Sequence, residues 1–204
     1  MRLFVASSNE GKLREYRALA SGVSLELALL PNFAALPRYE EGSSTFAENA
    51  AGKALHYSRL FPELVVADDS GLVVPALGGA PGVLSARYAG PGASDEDRYR
   101  KLLAEMRDRK GASRRARFVC VLALAKAGAP IGLFSAAADG EILEAPRGDH
   151  GFGYDPVFFF PAMGKSYAEL SPEEKNQHSH RGIAFRKALH FLLSLGASGV
   201  ENNA

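Results

Sequence analysis

Apolar and polar positions change their period several times along this chain, and each change marks an element. Residues 2–6, Arg2-Leu3-Phe4-Val5-Ala6, form a short apolar run that predicts a first strand. The run passes directly into the polar stretch Ser7-Ser8-Asn9-Glu10-Gly11-Lys12. Beyond it Leu13, Tyr16 and Ala20 recur at helical spacing, and Asn9 stands where a helix takes its N-cap. A second strand is expected near Ser24–Leu30, stopped by Pro31, and residues 31–44 follow with no period but with Glu40-Glu41-Gly42 among them. From Thr45 a helix is expected, with Phe46, Ala50, Ala54, Tyr57 and Phe61 toward the core. Leu64-Val65-Val66-Ala67 then reads as a buried strand ending at Asp68-Asp69-Ser70-Gly71-Leu72. Ser94 with Asp97 three residues on opens another helix, whose buried face is Tyr99, Leu102, Leu103 and Met106. Residues 117–126 and 131–138 read as two strands of a hairpin turned by Ala127-Gly128-Ala129-Pro130, with a further strand near Glu141–Glu144. Ser171-Pro172-Glu173-Glu174-Lys175 is a capped short helix, and a final helix after Ser179 carries Ile183, Leu189, Leu192 and Leu193 inward. The pattern then fades: one domain of residues 1–196 and a disordered tail of 197–204 are expected.

Composition narrows the classes. The 204 residues suit one domain or two closely joined lobes, and with 47% apolar residues the core can be sizeable. Lys and Arg number 24 against 23 for Asp and Glu, so no global field favours nucleic acid. A local basic cluster, Arg107, Arg109, Lys110, Arg114, Arg115 and Arg117, lacks the interleaved aromatics that stack on bases, so a solvated turn is expected there. Cys120 is the sole cysteine, which rules out an internal disulfide and reads as a buried small hydrophobe. The N-terminal apolar run is too short for a signal peptide, and no run reaches membrane-spanning length. A cytoplasmic protein with no membrane and no nucleic-acid partner is expected.

The chemistry-bearing stretches stand apart from these elements. An ionised Asp is rarely buried without a partner, so a cation, either Lys/Arg or a metal ion, is expected opposite Asp68 and Asp69. If the strand continues through them, the two carboxylates point to opposite faces; the alternative is an Asx-type turn. The loop Ser7–Lys12 before a helix is a ready anion site, with backbone N–H groups and the helix dipole aimed at it, although an ordinary capped helix reads the same way. No Walker loop occurs. Asn49, Lys53 and His56 share one helix face, either solvated or with the lysine aimed at phosphate. Gly148-Asp149-His150-Gly151-Phe152-Gly153-Tyr154-Asp155-Pro156 sets aromatics between glycines, as a wall for a planar ligand or as a glycine-rich turn with two core aromatics. His180 and Arg181 sit at a helix start, where a cation is unfavourable, so an anionic or carbonyl-bearing partner is expected.

Together these are the parts of a nucleoside triphosphate site: a phosphate loop, a phosphate lysine, metal carboxylates (Asp68 and Asp69, with Glu40 or Glu41), an aromatic wall and late cations. Their order and spacing resemble the inosine triphosphate pyrophosphatase family. The matching segments are Ala6–Lys12, Glu40-Glu41-Gly42, Thr45–Ala50 with Lys53, Ala67–Leu72, Leu77–Gly82, Ser85-Ala86-Arg87-Tyr88, Phe152–Pro156, Glu174-Lys175 and Ser179-His180-Arg181-Gly182. The resemblance implies an α/β fold of two lobes around a long twisted mixed β-sheet with a central nucleotide-binding cleft, usually in a homodimer. It implies Mg²⁺-dependent cleavage of dITP, ITP or XTP to the monophosphate and pyrophosphate. By the same resemblance, Ser7, Ser8, Asn9, Glu10, Gly11 and Lys12 hold phosphates, with Lys53 beside them. Asp69 is the catalytic carboxylate and a metal ligand, and Ser70 contacts substrate. Phe152, Gly153, Tyr154, Asp155, Lys175, His180 and Arg181 enclose base and phosphates. Many relatives have Thr-Gly where this chain has Ser7-Ser8, and Ser8 takes a positive φ less cheaply than glycine. Whether Glu40 or Glu41 reaches the metal stays open. If His180 and Arg181 both donate to the purine 6-position, a keto group is accepted and an amino group refused. The alternatives are a pyrophosphatase for pyrimidine or modified nucleotides, and a nucleotide-binding module without turnover.

Overall fold

The structure, a computed structural model, describes residues 1–198. Seven strands form one mixed sheet: β1 (Arg2–Val5), β2 (Glu26–Leu29), β3 (Leu64–Val73), β4 (Arg115–Lys126), β5 (Ala129–Ile142), β6 (Phe158–Phe160) and β7 (Lys165–Ser166). Their order is β2-β1-β3-β4-β5-β6-β7. The α-helices are α1 (Glu10–Leu19), α2 (Phe46–Ser58), α3 (Asp95–Glu105), α4 (Pro172–His178) and α5 (His180–Ser198). Among the described residues, no helix is long and apolar enough to cross a membrane. The described residues divide into two compact units: 1–69, 121–136 and 181–198 in the first, and 70–120 and 137–180 in the second.

The first unit begins as α/β. β1 pairs in parallel with β2 and with β3, and parallel neighbours need crossovers, which α1 and α2 supply. Both helices start where short polar side chains cap them. The Asn9 carboxamide accepts from Lys12 N at 3.0 Å, and the Thr45 hydroxyl accepts from Glu48 N at 3.2 Å. Leu3, Phe4, Val65, Val66, Leu13, Tyr16, Ala50, Ala54 and Tyr57 are buried here, with the Tyr16 and Phe185 rings 5.2 Å apart. The last residue of β1 to pair with β3 is Val5, opposite Val66. Asp68 and Asp69 therefore lie just beyond the end of β1, level with the loop that leaves it.

Several elements differ from expectation. β3 does not stop at its carboxylates but runs on to Val73, so the Asx-turn reading fails. β5 is a single strand of 14 residues, and the separate strand expected near Glu141–Glu144 is its end. Gly140, inside this strand, serves a close approach: a Cβ there would stand 2.4 Å from the Phe159 carbonyl oxygen. The β4–β5 hairpin has a two-residue loop, Ala127 and Gly128, both at positive φ, as a type I′ turn requires. In α5 the buried residues are Ala184, Phe185, Ala188 and Leu192, whereas Leu193 is 46% exposed. The inward stripe is rotated by about a residue from the expected one and is in phase with Arg181, itself buried. α5 continues to Ser198, past the expected end of the domain at 196; of the expected tail, residues 199–204 lie outside the described residues.

The second unit packs around its own core of Leu72, Val74, Leu102, Met106, Phe118, Tyr154, Val157, Phe158 and Tyr167. Its strands β5, β6 and β7 pair antiparallel. α3 opens with a reciprocal capping box between Ser94 and Asp97, and α4 with another between Ser171 and Glu174.

Candidate active site

Alternation along β3 separates the two central carboxylates, and they live in opposite electrostatic settings. Asp68, 2% exposed, receives the Lys12 ammonium at 2.8 Å and faces the Arg181 guanidinium at 3.7 Å. Burial alone would raise its pKa, but Lys12, Arg181 and Lys53 reverse this and hold the carboxyl well below the ordinary carboxylate range. The expected cation is there, from α1 and α5. The Arg181 side chain also donates to Glu15 at 2.5 Å, which meets the expectation of an anionic partner at the start of α5.

Asp69, 6% exposed, faces α2. Its Oδ2 accepts from the Asn49 carboxamide at 3.0 Å. Desolvation raises its pKa; the Asn49 hydrogen bond, Lys12 and Lys53 lower it, Glu41 raises it, and the net direction is upward. Lys53 forms an ion pair with Glu41. Burial works against the charge of Lys53, but Asp68, Glu41 and Asp69 outweigh it and raise its pKa. Glu41 is half-buried within reach of this group, and Glu40 is exposed. Asp69 thus feels the negative charge of Glu41 at a desolvated spot, which a hard divalent cation would offset. Among the described residues no group of three or more His, Cys, Asp or Glu could hold a metal. Two carboxylates suit an ion that keeps waters and takes its other oxygens from a phosphate.

The loop between β1 and α1 lies beside them. Ser7 Oγ accepts from Asn9 N at 3.1 Å, and Asn9 in turn caps the helix. The first turn of α1 thus presents amides toward a polar loop that also carries Ser8 and Glu10, both exposed, and the buried Gly11. Among the described residues the non-glycine positive φ values belong to Asn32 and Ala127, so Ser8 fills the usual glycine position without left-handed backbone.

The second unit holds the remaining candidates. Asp155 accepts from Phe152 N at 2.8 Å and from the Lys175 ammonium at 2.5 Å. That ammonium also lies 4.7 Å from the Phe152 ring centroid. Gly151, at φ +78°, is required, since a Cβ would stand 2.1 Å from the Asp155 carboxylate. Gly153 N donates to Asp95 at 2.6 Å. The loop is therefore fixed by carboxylates from two directions. Tyr154 turns into the core and donates to Ser85 O at 2.9 Å, whereas Phe152 stays partly exposed. His180 stacks on Phe118 at 4.6 Å and 4°. Ser70 follows Asp69 in β3 and is half-buried.

Two residues around this site escaped the sequence reading as site residues. Asn49 gave a signal, standing one turn before Lys53 on the same face of α2. Glu15 gave only its spacing from Lys12, because its partner is 166 residues away. Three members of the basic cluster are engaged within the chain: Arg114 is buried on four carbonyl oxygens, Lys110 pairs with Glu144, and Arg117 with Asp139.

Comparison with known proteins places this geometry in a lineage. A curated protein of Geobacillus kaustophilus, named dITP/XTP pyrophosphatase, is 51% identical over 91% of each chain. A solved HAM1 protein from Coxiella burnetii superposes with a TM-score of 0.85 at 40% identity, covering 95% of this chain and 99% of that one. The Ham1 protein of Staphylococcus aureus gives 0.84 at 37% identity with the same coverage. The model of the Ham1 family matches residues 3–191, nearly the whole described chain, and the chain therefore belongs to the Ham1 family.

Proposed function

We infer that this chain is a nucleoside triphosphate pyrophosphohydrolase. It hydrolyses non-standard purine nucleoside triphosphates (dITP, ITP and XTP) to the monophosphate and pyrophosphate, and so removes deaminated purines from the nucleotide pool. Its Ham1 relatives named dITP/XTP pyrophosphatase support the substrate class. The observation that carries the chemistry is Asp69: a desolvated carboxylate with raised proton affinity, next to Glu41 and two lysines.

In this reading the amides and hydroxyls of Ser7–Lys12 take the phosphates, and Lys12 and Lys53 supply positive charge to them. Each lysine is held on a carboxylate in this structure, Lys12 on Asp68 and Lys53 on Glu41, so each is already aimed when phosphate arrives. Asp69 accepts a proton from water as the water oxygen bonds to the α-phosphorus, and the bond to the bridging oxygen breaks toward pyrophosphate. Asp69 and Glu41 would hold Mg²⁺, which when bound neutralises charge developing on the phosphate oxygens. Asp68 is given a different role from the expected metal ligand: with two cations beside it, it organises Lys12 and Arg181. Phe152 is given the face of the base, its loop braced by Asp155 and Lys175, with Gly153 and Tyr154 fixing the loop's path. Ser70, His180 and Arg181 complete the substrate contacts, and the last two favour a 6-keto purine.

A nucleotide panel tests this. Incubated with and without Mg²⁺, the protein should convert ITP, dITP and XTP to monophosphate and pyrophosphate, require the ion, and leave ATP nearly intact. Release of orthophosphate, or faster turnover of UTP or dTTP, would sink the reading. Intact ITP at stoichiometric enzyme would make the protein a binding module. A homodimer and a cytoplasmic setting complete the proposal, the first measurable by sedimentation.

A further inference from the structure

We propose that Asn49 is a positioning residue for the reaction, acting through Asp69 and through the loop that carries Glu41. The inference rests on the reading of Asp69 given above. Asn49, 1% exposed, makes three side-chain hydrogen bonds that use both its amide hydrogens. Its Oδ1 accepts from Ser43 N at 3.1 Å, and its Nδ2 donates both to Ser43 O at 3.2 Å and to Asp69 Oδ2 at 3.0 Å. The carboxamide therefore reads both backbone groups of one loop residue with one edge and an ionised carboxylate with its remaining N–H. Only one orientation of the amide serves: flipped, it would set donor against the Ser43 N–H and acceptor against a carbonyl and a carboxylate.

Two consequences follow for the chemistry. Asp69 Oδ2 is anchored, which aims Oδ1 and stops the carboxylate from rotating between a productive and an unproductive pose. The 40–45 loop has little regular structure of its own, and Ser43 is one of its anchors, two residues from Glu41, which Lys53 also holds. One side chain thus ties the Asp69 carboxylate to the loop that carries Glu41. No other amino acid supplies one acceptor and two donors at this length: aspartate keeps the acceptor and loses both donors, and alanine loses all three. Partners of this kind, behind the residues that hold an ion, change its affinity or the turnover by about 10–100-fold when removed.

The test uses the full chain as Asn49→Ala and Asn49→Asp, with Mn²⁺ as the probe ion. Three quantities are read: thermal midpoint, Mn²⁺ affinity by electron paramagnetic resonance, and kcat and KM for ITP. The expected result is folded protein with kcat lower by about 10–100-fold, KM for ITP within about threefold, and Mn²⁺ bound about tenfold more weakly. A purely structural asparagine would lower the thermal midpoint and leave kcat and Mn²⁺ affinity of the folded fraction unchanged, which would overturn the proposal. Failure of both variants to fold would overturn it too, since the side chain would then serve the fold. Wild-type protein is measured in parallel: if it binds Mn²⁺ but does not cleave ITP, the functional reading fails, while the comparison of Mn²⁺ affinities still decides the role of Asn49.

Discussion

Adjacent carboxylates are often treated as a pair, yet Asp68 and Asp69 share little beyond their peptide bond. Asp68 is an anion among cations, its pKa lowered by Lys12, Arg181 and Lys53 against the effect of burial, which disfavours a role as proton acceptor. Asp69 has a raised proton affinity and is held at one oxygen, which suits a base. Asp69→Asn should lower turnover of ITP by about 10²–10⁴-fold with an unchanged circular dichroism spectrum; unaltered kinetics would remove the assignment. Asp68→Asn should act differently, because it leaves Lys12 and Arg181 facing each other with less compensation. Its main effect is a loss of stability of about 3 kcal/mol, as for one partner taken from a buried ion pair, and equilibrium denaturation reads it. Arg181→Ala should narrow the preference for ITP over ATP; a uniform loss on both would make the arginine a phosphate or structural residue. Asp68 and Asp69 were legible in the sequence because charge beside an apolar, β-branched run announces a partner. Glu15 was not legible, since only the folded chain brings α1 to α5.

At the scale of elements, Arg114 shows how a charged residue can be a fold residue. Its guanidinium donates to Ile142 O at 2.6 Å, Leu143 O at 2.6 Å, Met106 O at 2.9 Å and Arg109 O at 3.1 Å. It thereby joins the end of α3 to the end of β5. Arg114→Met should cost about 3 kcal/mol by urea unfolding, since the freed carbonyls regain only some bonds from water; a change under about 1 kcal/mol would contradict this. The short turn Tyr167–Glu169 offers a pH test. Its Glu169 is pulled from 4.5 to about 2, chiefly by Arg147 and next by the Ser166 amide. A carboxyl depressed by folding lends stability above its unfolded value, and that stability drains as pH falls through 4.5 toward 2. Glu169→Gln should flatten the acid limb of stability in that window, while a limb of unchanged slope would rule the pair out. Capping boxes such as Ser94 with Asp97 were readable because they are local. Arg114 read as part of a solvated cluster because its acceptors lie up to 29 residues away.

For the molecule as a whole, the near balance of 24 cations against 23 anions, with three members of the basic cluster already engaged, predicts no retention of duplex DNA at physiological salt in a mobility-shift assay. Salt-sensitive binding there would reopen the nucleic-acid alternative. The α/β class, the sheet and the helix-capping positions could be anticipated from period and polarity. The phase of α5 and the unbroken course of β5 could not, because close packing decided them. One feature also governs how this fold can vary in length. β3 is extended without interruption from Leu64 through both carboxylates, so deleting or inserting a single residue ahead of Asp68 would turn each carboxylate to the opposite face of the sheet. A deletion would bring Asp69 to the place between Lys12 and Arg181, and an insertion would bring Asp68 to the place beside Asn49. Gaps between descendants of this fold therefore belong in stretches such as 31–39, while the spacing within β3 has no freedom to drift.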